Sequence, residues 1–156
     1  MKSQIFFTNV YRDLELKVRE LLNSHTGYLT TNTAQSTRAI GDAIAEILGL
    51  SFCNLLGDLC TDYSADFARR AMADLAFTDL DGFYYVIDVK THRLDTQFNM
   101  PNLTSVDRLA RFYEDDRNYF CLMLVSYNVE ATNVFVTDVK WVPIEFLSWE
   151  CLTIGA

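Results

Sequence analysis

Residues 75–90 read LAFTDLDGFYYVIDVK, and this stretch decides the fold. An apolar run at residues 75–78 is followed by the dipeptide Asp81-Gly82, which is a strong turn signal between two strands. The second run, residues 83–90, is rich in aromatic and β-branched residues, which favour a buried strand. We therefore predict a β-hairpin whose second arm lies inside a sheet.

The segments on either side of the hairpin show helical and strand patterns. Apolar residues recur every three or four positions in the helical segments, whereas residues 119–127 form a nearly continuous apolar run. Ser36 or Thr37 predicts the start of the second helix, and Gly49 predicts its end. The order α-α-α-β-β-α-β-β-α predicts a mixed α/β sandwich in one domain, residues 1–156. The predicted helices cover about residues 3–23, 37–48, 64–73, 104–114 and 143–152, and the other strands about 119–127 and 134–139.

The chain has the composition of a folded protein and an acidic charge. Half of the 156 residues are apolar, and the formal net charge is −8. An acidic protein repels phosphate at long range, unless its acids hold a cation or its arginines are grouped. No apolar run approaches the roughly 18–20 residues that span a bilayer, and the first residues lack the features of a signal peptide. We expect a soluble cytoplasmic protein without membrane contact and, since no glycine-rich phosphate loop occurs, without an organic cofactor.

The four cysteines predict neither a disulfide framework nor a zinc site. No C-x-x-C pair occurs, and only two histidines are available to complete a metal site. We expect the cysteines to be reduced and structural.

An acidic residue precedes a lysine by two positions three times in the chain. The copies are Glu15-Leu16-Lys17, Asp88-Val89-Lys90 and Asp138-Val139-Lys140. Acids make up 21 of the 156 residues, so chance produces such a pattern easily and context must decide. The first copy lies on a predicted helix, where residues two apart do not share a face. The other two copies end predicted strands, where residues two apart point to the same face.

The copy at Asp88 has a second carboxylate near it. Asp74 begins the first arm of the predicted hairpin, so it can approach Asp88 on the second arm. Two carboxylates this close repel each other unless a divalent cation lies between them. A cation with Lys90 beside it is suited to the hydrolysis of phosphate esters. For Asp138 the sequence offers no hairpin-paired acid, so that copy is the weaker candidate.

The helix predicted over residues 37–48 offers one more carboxylate. Asp42 and Glu46 are four residues apart and share a helix face. If that face meets the cation site, one of them can join it through water. The alternative is an ordinary solvated helix face.

The pattern of Asp74 followed by Asp88-Val89-Lys90 after an apolar strand resembles the PD-(D/E)xK nuclease superfamily, and within it the type II restriction endonucleases. The family's proline before the first aspartate is Ala73 here. The likeness extends over about residues 37–154. Further similar segments are Ile40-Gly41-Asp42, Phe83-Tyr84, Arg93-Leu94, Asn99-Met100-Pro101-Asn102, Arg108-Leu109-Ala110 and Ser148-Trp149-Glu150.

This resemblance implies a restriction-endonuclease-like mixed sheet flanked by helices, in a prokaryotic homodimer that cuts double-stranded DNA with Mg²⁺. Asp74 and Asp88 would bind the metal with help from the Val89 carbonyl. Lys90 would orient or activate the attacking water, and Asp42 would take the place of the family's helix carboxylate. Restriction enzymes are usually longer than this chain, so the resemblance leaves room for a C-terminal portion beyond residue 156.

The segment after Lys90 carries polar side chains suited to DNA recognition. Asn and Gln pair with adenine, and Arg pairs with guanine, in the major groove. Arg108 and Arg111, three apart on a predicted helix, can bind phosphate or form ion pairs with neighbouring acids. The candidates for reading base edges, for which a plain polar loop is the alternative, are Arg93, Gln97, Asn99, Asn102 and Ser105.

Two other functions remain open. One is a structure-specific nuclease of the same fold, such as a junction resolvase or a repair nuclease. The other is an acidic interaction domain without enzymatic activity, in which Asp88 and Lys90 form a simple ion pair.

Overall fold

The computed structural model describes residues 2–25, 36–64, 73–97, 102–148 and 153–155. Within these residues the chain forms three α-helices and seven strands. The helices are α1 (Val10–Ser24), α2 (Thr37–Leu56) and α3 (Val106–Phe112). The strands are β1 (Cys60–Ser64), β2 (Leu75–Asp79), β3 (Tyr84–Arg93), β4 (Asn102–Ser105), β5 (Asn118–Glu130), β6 (Asn133–Pro143) and β7 (Thr153–Gly155).

Five strands form one mixed sheet in the order β1-β2-β3-β5-β6. Only β3 and β5 are parallel within it, since the pairs β1–β2, β2–β3 and β5–β6 are antiparallel. The short strands β4 and β7 form a separate parallel pair. A mixed sheet with flanking helices is the α/β fold class that the sequence predicts, and that prediction is confirmed.

Each face of the main sheet has its own apolar cluster. The larger cluster joins α1 and α2 to side chains such as Ile87, Met123 and Trp141. The smaller cluster joins α3 to the alternate side chains, among them Val86 and Leu122. We call the two sides the α1–α2 face and the α3 face. Side chains alternate between the two faces along a strand. The face to which one β3 residue points therefore determines the face of each neighbouring residue.

The central hairpin forms as predicted. Leu75 lies opposite Ile87 and Thr78 opposite Tyr84, so β2 pairs with β3 from Leu75 to Thr78. Gly82 adopts φ 84° in the turn, a left-handed conformation that glycine adopts without steric penalty. The turn and the two arms therefore lie where the pattern of residues 75–90 predicts them.

Helix α2 begins as predicted but is longer than predicted. The Ser36 side chain caps it by accepting a hydrogen bond from the Ala39 N–H at 3.2 Å. Gly49 does not end the helix, because the buried stripe continues and outweighs the cost of about 1 kcal/mol for an interior glycine. The helix ends at Gly57, whose φ is 55°. The buried stripe consists of Ile40, Ile44, Leu48, Phe52 and Leu56.

The segment Thr37–Leu59 is long and apolar enough to cross a bilayer by length and composition alone. The expectation drawn from uninterrupted apolar runs did not include this segment. In the structure 33% of this apolar window is buried, and the fully buried stripe of α2 packs on the sheet.

Several other element predictions need correction. The first helix begins at Val10 rather than near residue 3, since residues 4–9 form turns, and α3 is shorter than predicted. Ser64 ends strand β1, and the rest of the helix predicted over residues 64–73 lies almost entirely outside the described residues. After β6 the chain forms only a 3-10 turn, Ile144–Phe146, instead of a helix over residues 143–152. In this turn Ile144 packs on the apolar cluster of the α3 face, whereas Phe146 contacts Phe6, which belongs to the cluster of the α1–α2 face. One apolar face of a helix could not contact both clusters.

A candidate active centre at the open end of the hairpin

Two aspartates meet where β2 and β3 separate. Asp74 immediately precedes β2, and its backbone N–H donates to the Ile87 carbonyl at 3.0 Å. Its carboxylate Oδ2 accepts the Val89 N–H at 2.7 Å, which holds the side chain against β3. Asp88 lies between Ile87 and Val89 and points to the α3 face, and its carboxyl group is within hydrogen-bonding reach of Asp74. The hairpin thus brings together the two carboxyl groups that the sequence pattern predicts to meet.

Lys90 lies next along the same face of β3. Its Nζ is 3.2 Å from Asp88 Oδ2. The Lys90 side chain is 34% exposed and that of Asp88 only 12%, so the ammonium connects a buried carboxylate with the surface. Period-two alternation in the strand produces this arrangement directly.

The ionised form of Asp88 is disfavoured in this environment. Burial raises the pKa of Asp88 to about 6, Lys90 opposes the rise, and the neighbouring Asp74 carboxyl adds to it. The negative charge of Asp88 is therefore opposed by burial and by repulsion from Asp74, and Lys90 compensates only part of this. A bound cation would relieve this repulsion.

The donor set fits a hard divalent cation. The N–H and C=O of a strand residue point to the same edge, so the Val89 carbonyl faces the side of β3 on which Asp74 lies. Two carboxylates and a carbonyl are oxygen ligands, and Mg²⁺ is commonly bound by only one or two carboxylates plus water and substrate phosphates. Across the described ranges, no cluster of three or more His, Cys, Asp and Glu side chains occurs. By the chemistry of their donor atoms, the two carboxylates and the carbonyl fit Mg²⁺.

Asp42 is not brought to this pair. Helix α2 packs on the α1–α2 face, where a Cβ on Gly41 would lie 3.0 Å from Thr91 Oγ1. Asp88 and Lys90 point to the opposite face of β3, and both Asp42 and Glu46 are exposed on α2. In this arrangement the helix carboxylate lies on the other side of the sheet from the carboxyl pair.

A cavity of about 390 Å³ lies beside Lys90 at the carboxyl end of β3. Lys90, Arg93 and Gln97 line it together with Thr37 at the start of α2. Neither Asp74 nor Asp88 is part of its lining. Lys90 is therefore the residue that touches both the carboxyl pair and the cavity.

The structure gives local roles to two predicted DNA-binding residues. Arg93 forms a two-point ion pair with Asp95, with Nε–Oδ1 at 2.6 Å and Nη2–Oδ2 at 3.1 Å. Ser105 caps α3, because its hydroxyl oxygen accepts the Arg108 N–H at 3.3 Å. Gln97 is exposed at the cavity. The Gln97 side chain is therefore accessible to a ligand, whereas the Arg93 guanidinium is already bound to Asp95.

The remaining predicted contacts are only partly described. Arg108 and Arg111 are exposed on α3, three residues apart. Asn102 begins β4, and its side chain is not described; Asn99 lies outside the described residues. The prediction that these residues bind DNA therefore stays a prediction.

Sequence reasoning missed the far wall of the cavity. Ser126 on β5 and Asp138 and Lys140 on β6 complete the lining opposite Lys90. The sequence does contain a signal for this wall, because Asp138-Val139-Lys140 is a copy of the acid-x-Lys pattern at the end of a predicted strand. Its position could not be predicted without knowing that β5 lies between β3 and β6.

Cys53, Cys60 and Cys121 are free thiols, and Cys151 lies outside the described residues.

No protein-family model matches the chain, and no curated protein sequence matches it. The candidate active centre therefore rests on its own geometry.

Proposed function

We propose that this protein is a Mg²⁺-dependent endonuclease that hydrolyses phosphodiester bonds in double-stranded DNA. The observation that carries the proposal is the cross-strand pair of Asp74 and Asp88, with Lys90 at 3.2 Å from Asp88 and also lining a cavity. Carboxylates that hold a cation beside a hydrogen-bond donor form the usual apparatus of metal-assisted phosphate-ester hydrolysis.

Each residue of the group has a distinct task. Asp74 and Asp88 would hold Mg²⁺ together with the Val89 carbonyl, and the ion, when bound, supplies positive charge to the phosphoryl oxygens in the transition state. The bond from the Val89 N–H to Asp74 fixes that carboxylate before any ligand arrives. Lys90 donates hydrogen bonds from the cavity side and can orient the attacking water or a phosphate oxygen.

The charge distribution supports a requirement for a cation. The chain carries a net charge of −8, and the carboxyl pair adds local repulsion towards a phosphate. A divalent ion at the pair reverses the local sign, while Lys90 and Lys140 already place positive charge at the cavity. Phosphate approach is thus favoured only when the cation is bound.

Cleavage of a supercoiled plasmid tests the proposal. The wild-type protein should nick or linearise the plasmid with Mg²⁺ and stop when a chelator is added. Asp88→Asn should lose activity by about a thousandfold or more, because it removes a metal ligand, and Lys90→Ala by about a hundredfold or more, because it removes a donor acting on the transition state. Lys17→Ala, which changes an exposed copy of the same sequence pattern, is the matched control and should cut like wild type. Full cleavage by Lys90→Ala would refute the role of Lys90, and full cleavage by Asp88→Asn would refute the site.

The products distinguish the type of nuclease. The resemblance to type II restriction endonucleases leads us to expect discrete fragments from one short recognition sequence. Cleavage of branched junctions alone would instead indicate a structure-specific nuclease of the same fold. No cleavage together with no saturable Mg²⁺ or Ca²⁺ binding would indicate an interaction domain in which Asp88 and Lys90 form only an ion pair.

The proposal includes a homodimer, which the resemblance to type II restriction endonucleases implies, with one active centre for each strand of the duplex. Sedimentation of the protein with and without duplex DNA measures this. A single protomer on the DNA that still cuts both strands would contradict it.

A further inference from the structure

The third acid-x-Lys copy, Asp138-Val139-Lys140, lies on the same face of the sheet as the candidate active centre. Val139 is buried in the α1–α2 cluster, so its neighbours on β6 point to the α3 face. In the strand register Lys90 lies opposite Leu124, and Leu124 lies opposite Lys140. The two lysines therefore flank Leu124 from the two neighbouring strands, with their backbones about 10 Å apart.

Both lysines open onto the same cavity. The lining also contains the polar residues Ser126 and Gln97 and one acid, Asp138. The two lysines, Ser126 and Gln97 offer hydrogen-bond donors to an anion that reaches the cavity. The cavity is therefore a continuation of the active centre towards β6.

The ammonium of Lys140 has a weak ion pair with Asp138 and a longer-range attraction to the buried carboxyl of Glu15. Its Nζ lies 3.9 Å from Asp138 Oδ1, and the two side chains are 61% and 57% exposed. Exposed pairs of this kind contribute little, and many contribute nothing measurable. Lys90, by contrast, contacts a buried carboxylate at 3.2 Å. Lys140 can thus exchange Asp138 for a phosphate at small cost.

Resting on the proposed function, we propose that Lys140 binds a backbone phosphate of the DNA strand being cut, next to the scissile phosphate near Lys90. Successive phosphates on one strand rise about 3.4 Å along the helix axis, so a span of about 10 Å and flexible lysine side chains match a phosphate one to three nucleotides away. A lysine is suited to this task because it acts as a compact point charge. In this role Lys140 binds and positions the DNA strand without contacting the reacting phosphate.

Binding of a short fluorescein-labelled duplex of mixed sequence, measured by anisotropy in Ca²⁺ over a series of NaCl concentrations, tests the proposal. Lys140→Gln should weaken binding about fivefold or more and reduce the slope of log affinity against log salt by about 0.9, the value for one phosphate contact. Lys140→Arg should keep the wild-type slope. Lys17→Gln, an equal loss of charge on the exposed side of α1, should change neither quantity. Asp138→Asn should bind the duplex more tightly than wild type.

The outcomes separate this proposal from the proposed function. If the wild-type protein binds and cuts DNA but Lys140→Gln has the same slope as Lys17→Gln, the role of Lys140 is wrong and the nuclease stands. If wild type binds no duplex at any salt concentration, both proposals fail. In the Mg²⁺ cleavage reaction Lys140→Gln should raise KM severalfold with kcat within about twofold, because a contact outside the reacting phosphate supplies uniform binding. A loss confined to kcat would contradict a positioning role.

Discussion

The two ends of the β2–β3 hairpin each carry a buried aspartate in opposite circumstances. At the turn, Asp79 Oδ1 accepts the N–H groups of Asp81 at 2.9 Å and Phe83 at 3.0 Å, and its Oδ2 accepts the Tyr85 hydroxyl at 2.7 Å. At the open end, Asp88 faces Asp74 and has Lys90 as its charge partner. The turn aspartate is supplied with donors, whereas the other is buried beside a second acid.

This contrast separates a structural carboxylate from a candidate functional one. Both aspartates are buried, at 5% exposure for Asp79 and 9% for Asp88, so burial alone does not distinguish them. The three hydrogen bonds that the Asp79 carboxyl group accepts connect it to Asp81, Phe83 and Tyr85 and stabilise the turn. Burial and the neighbouring Asp74 disfavour the charged form of Asp88 and raise its pKa to about 6. A perturbed pKa of this kind is typical of a functional site.

The largest expected effect is on activity at the open end. Asp74→Asn and Asp88→Asn should each lower the rate of DNA cleavage by about a thousandfold or more, since the cation's contribution of several kcal/mol is lost. Single-turnover cleavage of a defined duplex measures this. Asp116→Asn, at an exposed acid near α3, is the control and should keep the wild-type rate. Cleavage by either pair variant within tenfold of wild type would show that the pair does not hold the catalytic metal.

The next effect is on stability at the turn. Asp79→Ala should lower the free energy of unfolding by about 3 kcal/mol, because the Phe83 N–H and the Tyr85 hydroxyl lose a buried charged acceptor. Urea denaturation measures the loss. Activity per folded molecule should stay near wild type, and Asp79→Asn should lose less stability because its amide oxygen still accepts hydrogen bonds. A loss below about 1 kcal/mol would mean that the two ends are more alike than their contacts indicate.

A somewhat smaller effect concerns the cation. At pH 8, Mg²⁺ at a hundred times its Kd should stabilise the wild-type protein by about 2.7 kcal/mol. The stabilisation should shrink at pH 5, because protons compete for Asp88, whose pKa burial raises to about 6. Thermal unfolding with and without Mg²⁺ measures both quantities. Asp88→Asn should show no Mg²⁺-dependent stabilisation, whereas Asp79→Asn should keep it; equal stabilisation of all three proteins would place the cation elsewhere.

The turn end and the open end were predictable from sequence because their determinants are local. Asp81-Gly82 sets the turn, and alternation along residues 83–90 places Asp88 and Lys90 on one face. A two-arm hairpin then brings Asp74 beside Asp88 without reference to the rest of the chain. Local pattern therefore accounts for the core of the candidate site.

The parts that depend on distant pairing were not predictable in this way. The face of the sheet on which α2 packs decides the position of Asp42, and no local pattern encodes that choice. The position of Lys140 beside Lys90 requires β5 to pair in parallel with β3 and β6 to follow by a hairpin. The prediction that α2 ends at Gly49 is wrong, because burial of Phe52 and Leu56 in the tertiary structure outweighs the low helix propensity of glycine.

The smallest expected effect is on the stability of the cation-free protein at the open end, and it has the opposite sign to the effect at the turn. The pKa of Asp88 rises from 3.8 to about 6 on folding, so the stability that protonation gives is fully present below about pH 4 and is lost as the pH rises through 6. Asp88→Asn, which stays neutral, should therefore match wild type near pH 4 and exceed its unfolding free energy by about 2–3 kcal/mol above pH 6, because each of the roughly two pKa units is worth about 1.4 kcal/mol. Urea denaturation in a chelator at several pH values measures the difference. Taking the difference between the two proteins removes the contribution of Glu15, whose pKa burial also raises. A variant that is less stable than wild type at pH 8 would show that the ionised Asp88 stabilises the fold through Lys90, and the contrast between the two ends of the hairpin would disappear.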